Sequence, residues 1–500
     1  MPDKSYGQIL RSSSIMGGTA GITMLLGMVR TKFAAVLIGT MGAGLLANFG
    51  AIQGMLGTLA GLGLATSAVR EVATAVATGD QTAIGRTVLT LRRMCWFTGI
   101  LGMVALMALS PMLAQWTFGN QDHTLEIAAL GLIILFGNLS AGHTALFNGM
   151  RRIGDLARLS VISAVVVTVV NIAFYLWLGL RGIVPALVLG SAINLAINSQ
   201  YARRIHVLSV SMSWAESFSA ASDMIKLGFA MMWNNLLLSI AAYITVKLVT
   251  TGVDVQAAGI YGAAFALSGM FINFVLNAMS ADYFPRLTGH SHDKVAMCRL
   301  VNEQTEIGLL LAVPGLLATL SLAPWIIKLF YTTEFLPAVH LLQWFTLGCL
   351  GRIVAWPLGW LTAAMQKGWW LFTIESISIV THLILIALFL KIFGLEGVAI
   401  AFFVLYAGYA VASYFIGKHL IDFSWSNDCK RLILILTTAI FSDFVIVRSL
   451  PDIAGTLTSS MLTIIVSLYC FYTLLQRLGD THRLTHLVKI TPVIKLLLKK

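Results

Sequence analysis

The sequence contains few charged residues for its length. Of 500 residues, 11% are Asp, Glu, Lys or Arg and 58% are hydrophobic, whereas about a quarter of the residues in an ordinary soluble domain are charged. So little charge cannot cover the surface of a soluble fold of this size. Apolar runs such as 158–178 and 371–390 are long enough to cross the hydrocarbon core of a bilayer. The composition therefore predicts an all-α polytopic membrane protein.

Motifs for metal binding, disulfide formation and nucleotide hydrolysis are also missing. The five cysteines have no paired or metal-like spacing and are typical of small buried residues. No G-x-x-x-x-G-K-[ST] loop occurs, so the chain carries no P-loop ATPase. The apolar run 15–38 is too long for the core of a signal peptide and is predicted to be a retained helix. We predict neither a metal nor another cofactor.

Fourteen apolar segments follow one another along the chain, and each is predicted to be a transmembrane helix. They lie at about 14–38, 42–66, 88–110, 125–147, 158–178, 182–200, 225–248, 257–280, 305–325, 338–362, 371–391, 396–416, 432–448 and 456–475. An even number of crossings places both termini on one side of the membrane. Most of the 33 lysines and arginines fall on that side, and the positive-inside rule makes it cytoplasmic. The net charge of +12 is thus predicted to reflect orientation and contact with anionic headgroups, not nucleic-acid binding.

The chain matches itself at an offset of about 213–215 residues. Lys32 and Lys247 correspond, and each precedes a glycine, Gly44 or Gly259, by twelve residues. Each repeat holds six helices, so the halves share one orientation and are related by an axis along the membrane normal. We predict an N-lobe at 1–206 with helices 1–6, a cytoplasmic inter-lobe linker at 207–224, a C-lobe at 225–420 with helices 7–12, an additional transmembrane hairpin at 421–476 and a basic amphipathic cytoplasmic tail at 477–500.

Four short stretches resemble the Wzx-type O-antigen translocases. They are residues 42–49 (GAGLLANF), 59–64 (LAGLGL), 119–122 (GNQD) and 277–286 (NAMSADYFPR). The resemblance implies the multidrug/oligosaccharidyl-lipid/polysaccharide exporter superfamily, in which N and C lobes surround a central cavity. It also implies that the chain moves an undecaprenyl-pyrophosphate-linked oligosaccharide from the inner to the outer leaflet of the bacterial cytoplasmic membrane. The added helix pair departs from the family's twelve-helix pattern, although the related lipid II flippases also have two extra helices.

Such a flippase needs cations in a water-filled cavity, because a bare diphosphate is very costly in a medium of low dielectric constant. Basic residues at membrane depth cost about 2.5–3.5 kcal/mol each, so they indicate function. Arg30 and Arg352 are predicted substrate contacts, with a structural ion pair as the alternative for each. Lys32 and Lys247 form a second predicted pair for the diphosphate, and snorkelling to outer headgroups is the alternative for Lys32.

Amides and carboxylates in the predicted helices complete the candidate site. Asn234 and Asn235 follow a tryptophan in the seventh helix and suit sugar hydroxyls, although membrane amides also bond neighbouring helices. Glu375 lies about one turn into the eleventh helix, where it is predicted to bind a coupling proton or cation, with an interfacial residue or an ion-pair partner of Arg352 as the alternatives. Asp443 lies in the middle of a helix of the added hairpin and is the second predicted coupling or ion-pair residue, although the sequence offers it no obvious partner.

Three other functions remain open from the sequence. A cation-coupled multidrug antiporter of the same superfamily would need acidic residues in its cavity, whereas the charges at membrane depth are mainly basic. A membrane glycosyltransferase or ligase would need longer outer loops, and a scaffold for glycan assembly is the third alternative. We predict the flippase, a transporter and not an enzyme. Its predicted partners are the lipid-linked oligosaccharide, membrane lipids and other polysaccharide-assembly membrane proteins, without nucleic acid.

Overall fold

The computed structural model describes residues 3–450 and 452–478, so the predicted tail 477–500 lies almost wholly outside the described residues. Regular structure in this part of the chain is helical throughout, which confirms the predicted all-α class. The helices are α1 (Asp3–Gly61), α2 (Leu64–Thr78), α3 (Gln81–Phe118), α4 (Thr124–Gly149), α5 (Ile153–Leu178), α6 (Ile183–Ala202), α7 (Trp214–Gly252), α8 (Val255–Gly289), α9 (Lys294–Ser321), α10 (Ala323–Phe330), α11 (Ala338–Ala364), α12 (Gly368–Phe393), α13 (Glu396–Ile421), α14 (Asn427–Ser449) and α15 (Asp452–Leu478).

Twelve helical stretches of the described residues are long and apolar enough to cross a membrane. Two of them contain a break: Ile15–Gly61 bends at Gly39, and Ile153–Ala202 is interrupted by the turn Gly179–Gly182. Gly39 has φ 61° and ψ −163°, a conformation that glycine adopts without a steric penalty. All fourteen predicted segments therefore coincide with mostly helical residues. The number of crossings and the side on which the termini lie stay predictions.

Several helix ends differ from the predicted apolar segments. The segment 42–66 is divided, because Leu62 and Gly63 have positive φ angles and separate α1 from α2. α3 starts at Gln81, before the predicted segment 88–110, because the side chain of Asp80 caps its first turn. α7 starts with a capping box inside the predicted linker 207–224. Capping interactions therefore set the starts of α3 and α7, and such interactions cannot be found from the apolar runs alone.

The chain up to Gly262, together with the segment Leu329–Phe335, forms one compact unit. It contains α1–α7 and the start of α8. Hydrogen-bonded side chains join α7 to α1 and α3: Asn48 to Thr250 at 2.9 Å, Thr58 to Ser239 at 3.2 Å and Thr117 to Tyr243 at 3.0 Å. α7 thus packs with helices of the first repeat, although the sequence repeat assigns it to the second. The division into two lobes stays a prediction from the repeat.

Two glycines of this first unit bring α1 and α8 into backbone contact. A Cβ on Gly44 would lie 1.8 Å from the carbonyl oxygen of Val255. A Cβ on Gly259 would lie 2.4 Å from the carbonyl oxygen of Thr40 and 2.7 Å from the backbone nitrogen of Gly44. Only glycine allows so close a crossing. These are the two glycines that the internal repeat relates to each other.

The second unit comprises Ala263–Lys328 and the described residues from Leu336 onward. Within it, α11 and α13 approach closely at a glycine: a Cβ on Gly351 would lie 2.8 Å from the carbonyl oxygen of Tyr406. The glycine next to Arg352 therefore allows α13 to pack closely against α11.

Ion pairs at both ends fix the added hairpin α14–α15 to the second unit. At one end, the Arg477 guanidinium lies 3.3 Å from Glu306 of α9 and 2.8 Å from Asp428 of α14. At the other end, Arg448 of α14 lies 2.8 Å from Glu396 of α13. The hairpin is therefore held by charged contacts as well as by apolar packing.

Candidate functional site

The two repeat-related lysines both contact residues of the first unit. The Lys32 ammonium donates a hydrogen bond to the backbone carbonyl of Tyr331. The Lys247 ammonium lies 5.4 Å from the ring centre of Trp116, in cation–π geometry. Trp116 and Tyr331 are separated in the sequence by the same 215 residues as the lysines. The two contacts are thus equivalent in the repeat, a correspondence that the sequence analysis missed.

The other predicted residues of the first unit have fewer protein partners. Arg30 is exposed and interacts electrostatically with Tyr175 of α5, but among the described residues it makes no ion pair. Asn234 and Asn235 are exposed on α7, and their side-chain amides form no hydrogen bond with the described part of the chain. These three side chains are therefore available to a ligand.

In the second unit, two tyrosines of α13 interact with Glu375, and one of them also interacts with Arg352. Arg352 is half-buried on α11 and interacts with Tyr406, while Glu375 on α12 faces the hydroxyl of Tyr409 and interacts with Tyr406. Within residues 3–450 and 452–478, Arg352 and Glu375 form no direct ion pair. Neither tyrosine was predicted, and their one signal in the sequence is a spacing of three residues, which places both on one face of a helix.

Asp443 has partners that its own helix does not reveal. It is fully buried, and one carboxylate oxygen accepts a hydrogen bond from Ser459 of α15 at 2.5 Å. The Ser459 hydroxyl lies 2.5 Å from that of Ser321 of α9, which lies 2.8 Å from the hydroxyl of Thr463. The other carboxylate oxygen of Asp443 is buried without a hydrogen-bond partner in the described chain. The cluster joins α9, α14 and α15 through hydroxyl groups.

Solved transporters share this fold. The structure of "Lipid II flippase MurJ, inward closed conformation" superposes with a TM-score of 0.71 at 15% identity, covering 92% of this chain and 99% of that chain. The inward-facing conformation of a multidrug resistance MATE family transporter of the MOP superfamily gives a TM-score of 0.61 at 15% identity and covers 82% and 96%. The chain therefore has the helical fold of these transporters.

A family model and two relatives agree with this class. The model described as "Polysaccharide biosynthesis protein" matches residues 52–340, and the chain belongs to that family. It is 24% identical over 354 residues to the "Lipid III flippase" of Escherichia coli (strain K12), covering 68% of this chain and 81% of that protein. The "Lipid III flippase" of Shigella flexneri matches with the same values. The predicted flippase superfamily, a transporter rather than an enzyme, and the predicted multi-pass placement in the bacterial inner membrane are confirmed.

Proposed function

We propose that the protein translocates an undecaprenyl-pyrophosphate-linked oligosaccharide, an O-antigen or similar polysaccharide repeat unit, from the inner to the outer leaflet of the cytoplasmic membrane. Membership of the polysaccharide biosynthesis family and similarity to two lipid III flippases support a lipid-linked oligosaccharide as cargo. The diphosphate headgroup must cross the hydrocarbon region while the lipid tail stays within it. Because an unpaired anion is very costly there, the path has to supply cations.

Two arginines at membrane depth without a carboxylate partner carry this proposal. Arg30 in α1 and Arg352 in α11 make no ion pair with the described residues. An arginine in the bilayer costs about 2.5–3.5 kcal/mol, so keeping it there requires a compensating interaction. The guanidinium group matches phosphate oxygens in a bidentate arrangement. We assign both arginines to the diphosphate, and Asn234 and Asn235 to the sugar hydroxyls.

Alanine variants of the two arginines test the cationic path. Arg30→Ala and Arg352→Ala are expected to abolish export of the glycan at normal protein levels, and lysine at either position should restore part of it. Arg181→Ala removes an exposed charge from the turn between α5 and α6 and is the matched control. The measurement is the amount of lipid-linked oligosaccharide on each leaflet, with immunoblots for protein level. Normal export by both alanine variants would contradict the cationic path.

We further propose that transport proceeds by alternating access, so contacts between α7 and α1 must open during the cycle. The Thr58 and Ser239 hydroxyl oxygens are 3.2 Å apart. Cysteines at these two positions could therefore reach the S–S distance of about 2.05 Å after a small shift. Oxidation of the Thr58→Cys, Ser239→Cys double variant should stop transport, reduction should restore it, and each single variant should be insensitive. Full cross-linking with unchanged transport would contradict the mechanism.

Deletion of the gene separates the flippase from the multidrug antiporter, whose fold is similar. Accumulation of an undecaprenyl-pyrophosphate oligosaccharide on the cytoplasmic leaflet, with loss of surface polysaccharide, is the result expected for the flippase. Unchanged glycolipid together with new sensitivity to cationic dyes would contradict the flippase and support the antiporter.

A further inference from the structure

A cavity of about 340 Å³ opens between α3, α4 and α6 of the first unit, apart from every predicted substrate residue. Four polar side chains line it: Arg92, His143, Ser199 and Arg203. Arg203 follows the end of α6 and Arg92 lies in the first part of α3, on the side that the positive charges assign to the cytoplasm. The polar groups of the cavity are therefore at the level of the inner-leaflet headgroups.

The cavity lacks a negative charge to balance these groups. None of its described lining residues is Asp or Glu. The side chains of Arg92 and Arg203 form neither an ion pair nor a hydrogen bond with the described residues, whereas Arg93 donates a hydrogen bond to the carbonyl of Ser213 at 2.9 Å. The ring nitrogen Nδ1 of His143 is buried without a hydrogen-bond partner in the described chain. A buried polar atom left unpaired is costly, so these groups call for an anionic ligand with hydrogen-bonding oxygens.

The remaining wall of the cavity is apolar. Leu91, Leu139 and Leu195 line it together with Trp96, which is 43% exposed. A free phosphate ion would leave this surface uncovered, whereas a ligand with a phosphate at one end and a hydrocarbon chain at the other would cover both parts. A volume near the lower limit of ligand pockets, about 300 Å³, has no room for an oligosaccharide.

We propose that this cavity binds the phosphate headgroup of an anionic glycerophospholipid of the cytoplasmic leaflet, with the start of an acyl chain along the apolar wall. Arg92 and Arg203 hold the phosphate oxygens, and His143 and Ser199 add hydrogen bonds. The lipid would fill the space between α3, α4 and α6 and tie the N-terminal repeat to the anionic inner leaflet. This site is separate from the path of the transported glycolipid.

Native mass spectrometry of the purified, delipidated full chain tests the site. Dioctanoyl phosphatidylglycerol is titrated against dioctanoyl phosphatidylcholine, which has the same chains but no net charge. The anionic lipid should bind at least tenfold more tightly. Arg92→Gln or Arg203→Gln should weaken its binding about fivefold, and the double variant about 25-fold. Arg204→Gln is the matched control, because Arg204 stacks on the ring of Tyr201 at 4.5 Å and does not line the cavity.

Three results would overturn the proposal. The first is equal binding of the two lipids by the wild-type protein, a measurement that does not depend on any variant folding. The second is equal weakening by the control and by the double variant, which would indicate a diffuse surface charge. The third is a preference for undecaprenyl phosphate over phosphatidylglycerol, which would move the cavity to the substrate path. Because the assay measures lipid binding and not transport, its failure leaves the proposed function untouched.

Discussion

Replacement of Gly44 by alanine is expected to push apart two helices that touch through their backbones. The added Cβ would lie 1.8 Å from the carbonyl oxygen of Val255. Ordinary contacts of a Cβ begin near 3.4 Å, so α1 and α8 would have to separate by about 1.5 Å. A backbone carbonyl cannot rotate away as the end of a side chain can. We therefore expect a cost near the upper end of the about 1–3 kcal/mol typical of overpacked sites.

Thermal unfolding of the purified protein in detergent measures this cost against a matched control. Gly50 lies six residues further along the same helix with open space around it, and alanine there gains about 0.5–1 kcal/mol in helix propensity. At about 1–2 °C per kcal/mol for a protein of this size, the unfolding temperature should fall by about 3–6 °C for Gly44→Ala and hold or rise for Gly50→Ala. Gly259→Ala should repeat the loss. The Gly44→Ala, Gly259→Ala double variant should cost less than the sum of the two, because both open one contact.

Two outcomes would refute this reasoning. If Gly44→Ala and Gly50→Ala unfold at the same temperature, α1 and α8 do not cross at the distance described. If the double variant costs the full sum, the two glycines act at independent contacts.

Three further predictions concern other parts of the fold. Asp443→Asn keeps an oxygen for the Ser459 hydroxyl and should unfold close to the wild type, whereas Asp443→Ala should cost about 1–3 kcal/mol by removing the acceptor of that hydrogen bond; equal stability of the two variants would contradict this. The Lys294 ammonium, 2.9 Å from Asp422, lowers the pKa of that carboxyl group, so the stability it contributes is present above about pH 3.9 and is lost as the pH falls through the lowered value. Asparagine tolerates the left-handed backbone at this position. Asp422→Asn should therefore have a lower unfolding temperature than the wild type at pH 7 and the same unfolding temperature at pH 2. Gly63→Ala combines a φ of 64° with a Cβ 2.0 Å from the backbone of α7, and we expect a large loss of folded protein on size-exclusion chromatography.

The helices could be predicted from the sequence because the length of an apolar run is enough to identify a helix that can cross the membrane. A run of about twenty apolar residues in a bilayer has to be helical, since only a helix satisfies its own backbone groups there. The end of α1 could not be predicted in the same way. Leu62 and Gly63 are apolar and continue the run, and the helix stops there because Gly63 packs against the backbone of Gly228, which is distant in the sequence.

The sequence draws attention to single residues of the candidate site but not to the residues that they contact. Arg30 and Arg352 stand out in the sequence because a charged residue within an apolar run is rare and costly in a membrane. The hydroxyl partners of Asp443 come from α9 and α15, and serine in a membrane helix has no periodic signal of its own. The cavity at Arg92 and Arg203 was missed because both lie in the basic ends of helices, where positive charge is expected for topology alone.

In the first unit, residues that the internal repeat relates to each other take part in corresponding contacts. Gly44 and Gly259, which the repeat relates to each other, touch where α1 and α8 cross. Elsewhere in the first unit, a lysine of one repeat meets an aromatic residue of the other. Lys32 with Tyr331 and Lys247 with Trp116 are such a pair of contacts.

In the state described, these contacts engage both lysines. We therefore expect the lysines to reach a diphosphate only after these two contacts break. Arg30 and Arg352, which have no such partner among the described residues, do not need that step. The predicted order of contact is then arginines before lysines. A lysine variant should accordingly slow release on the outer side more than capture on the inner side, because the lysines contribute only after their present contacts have broken.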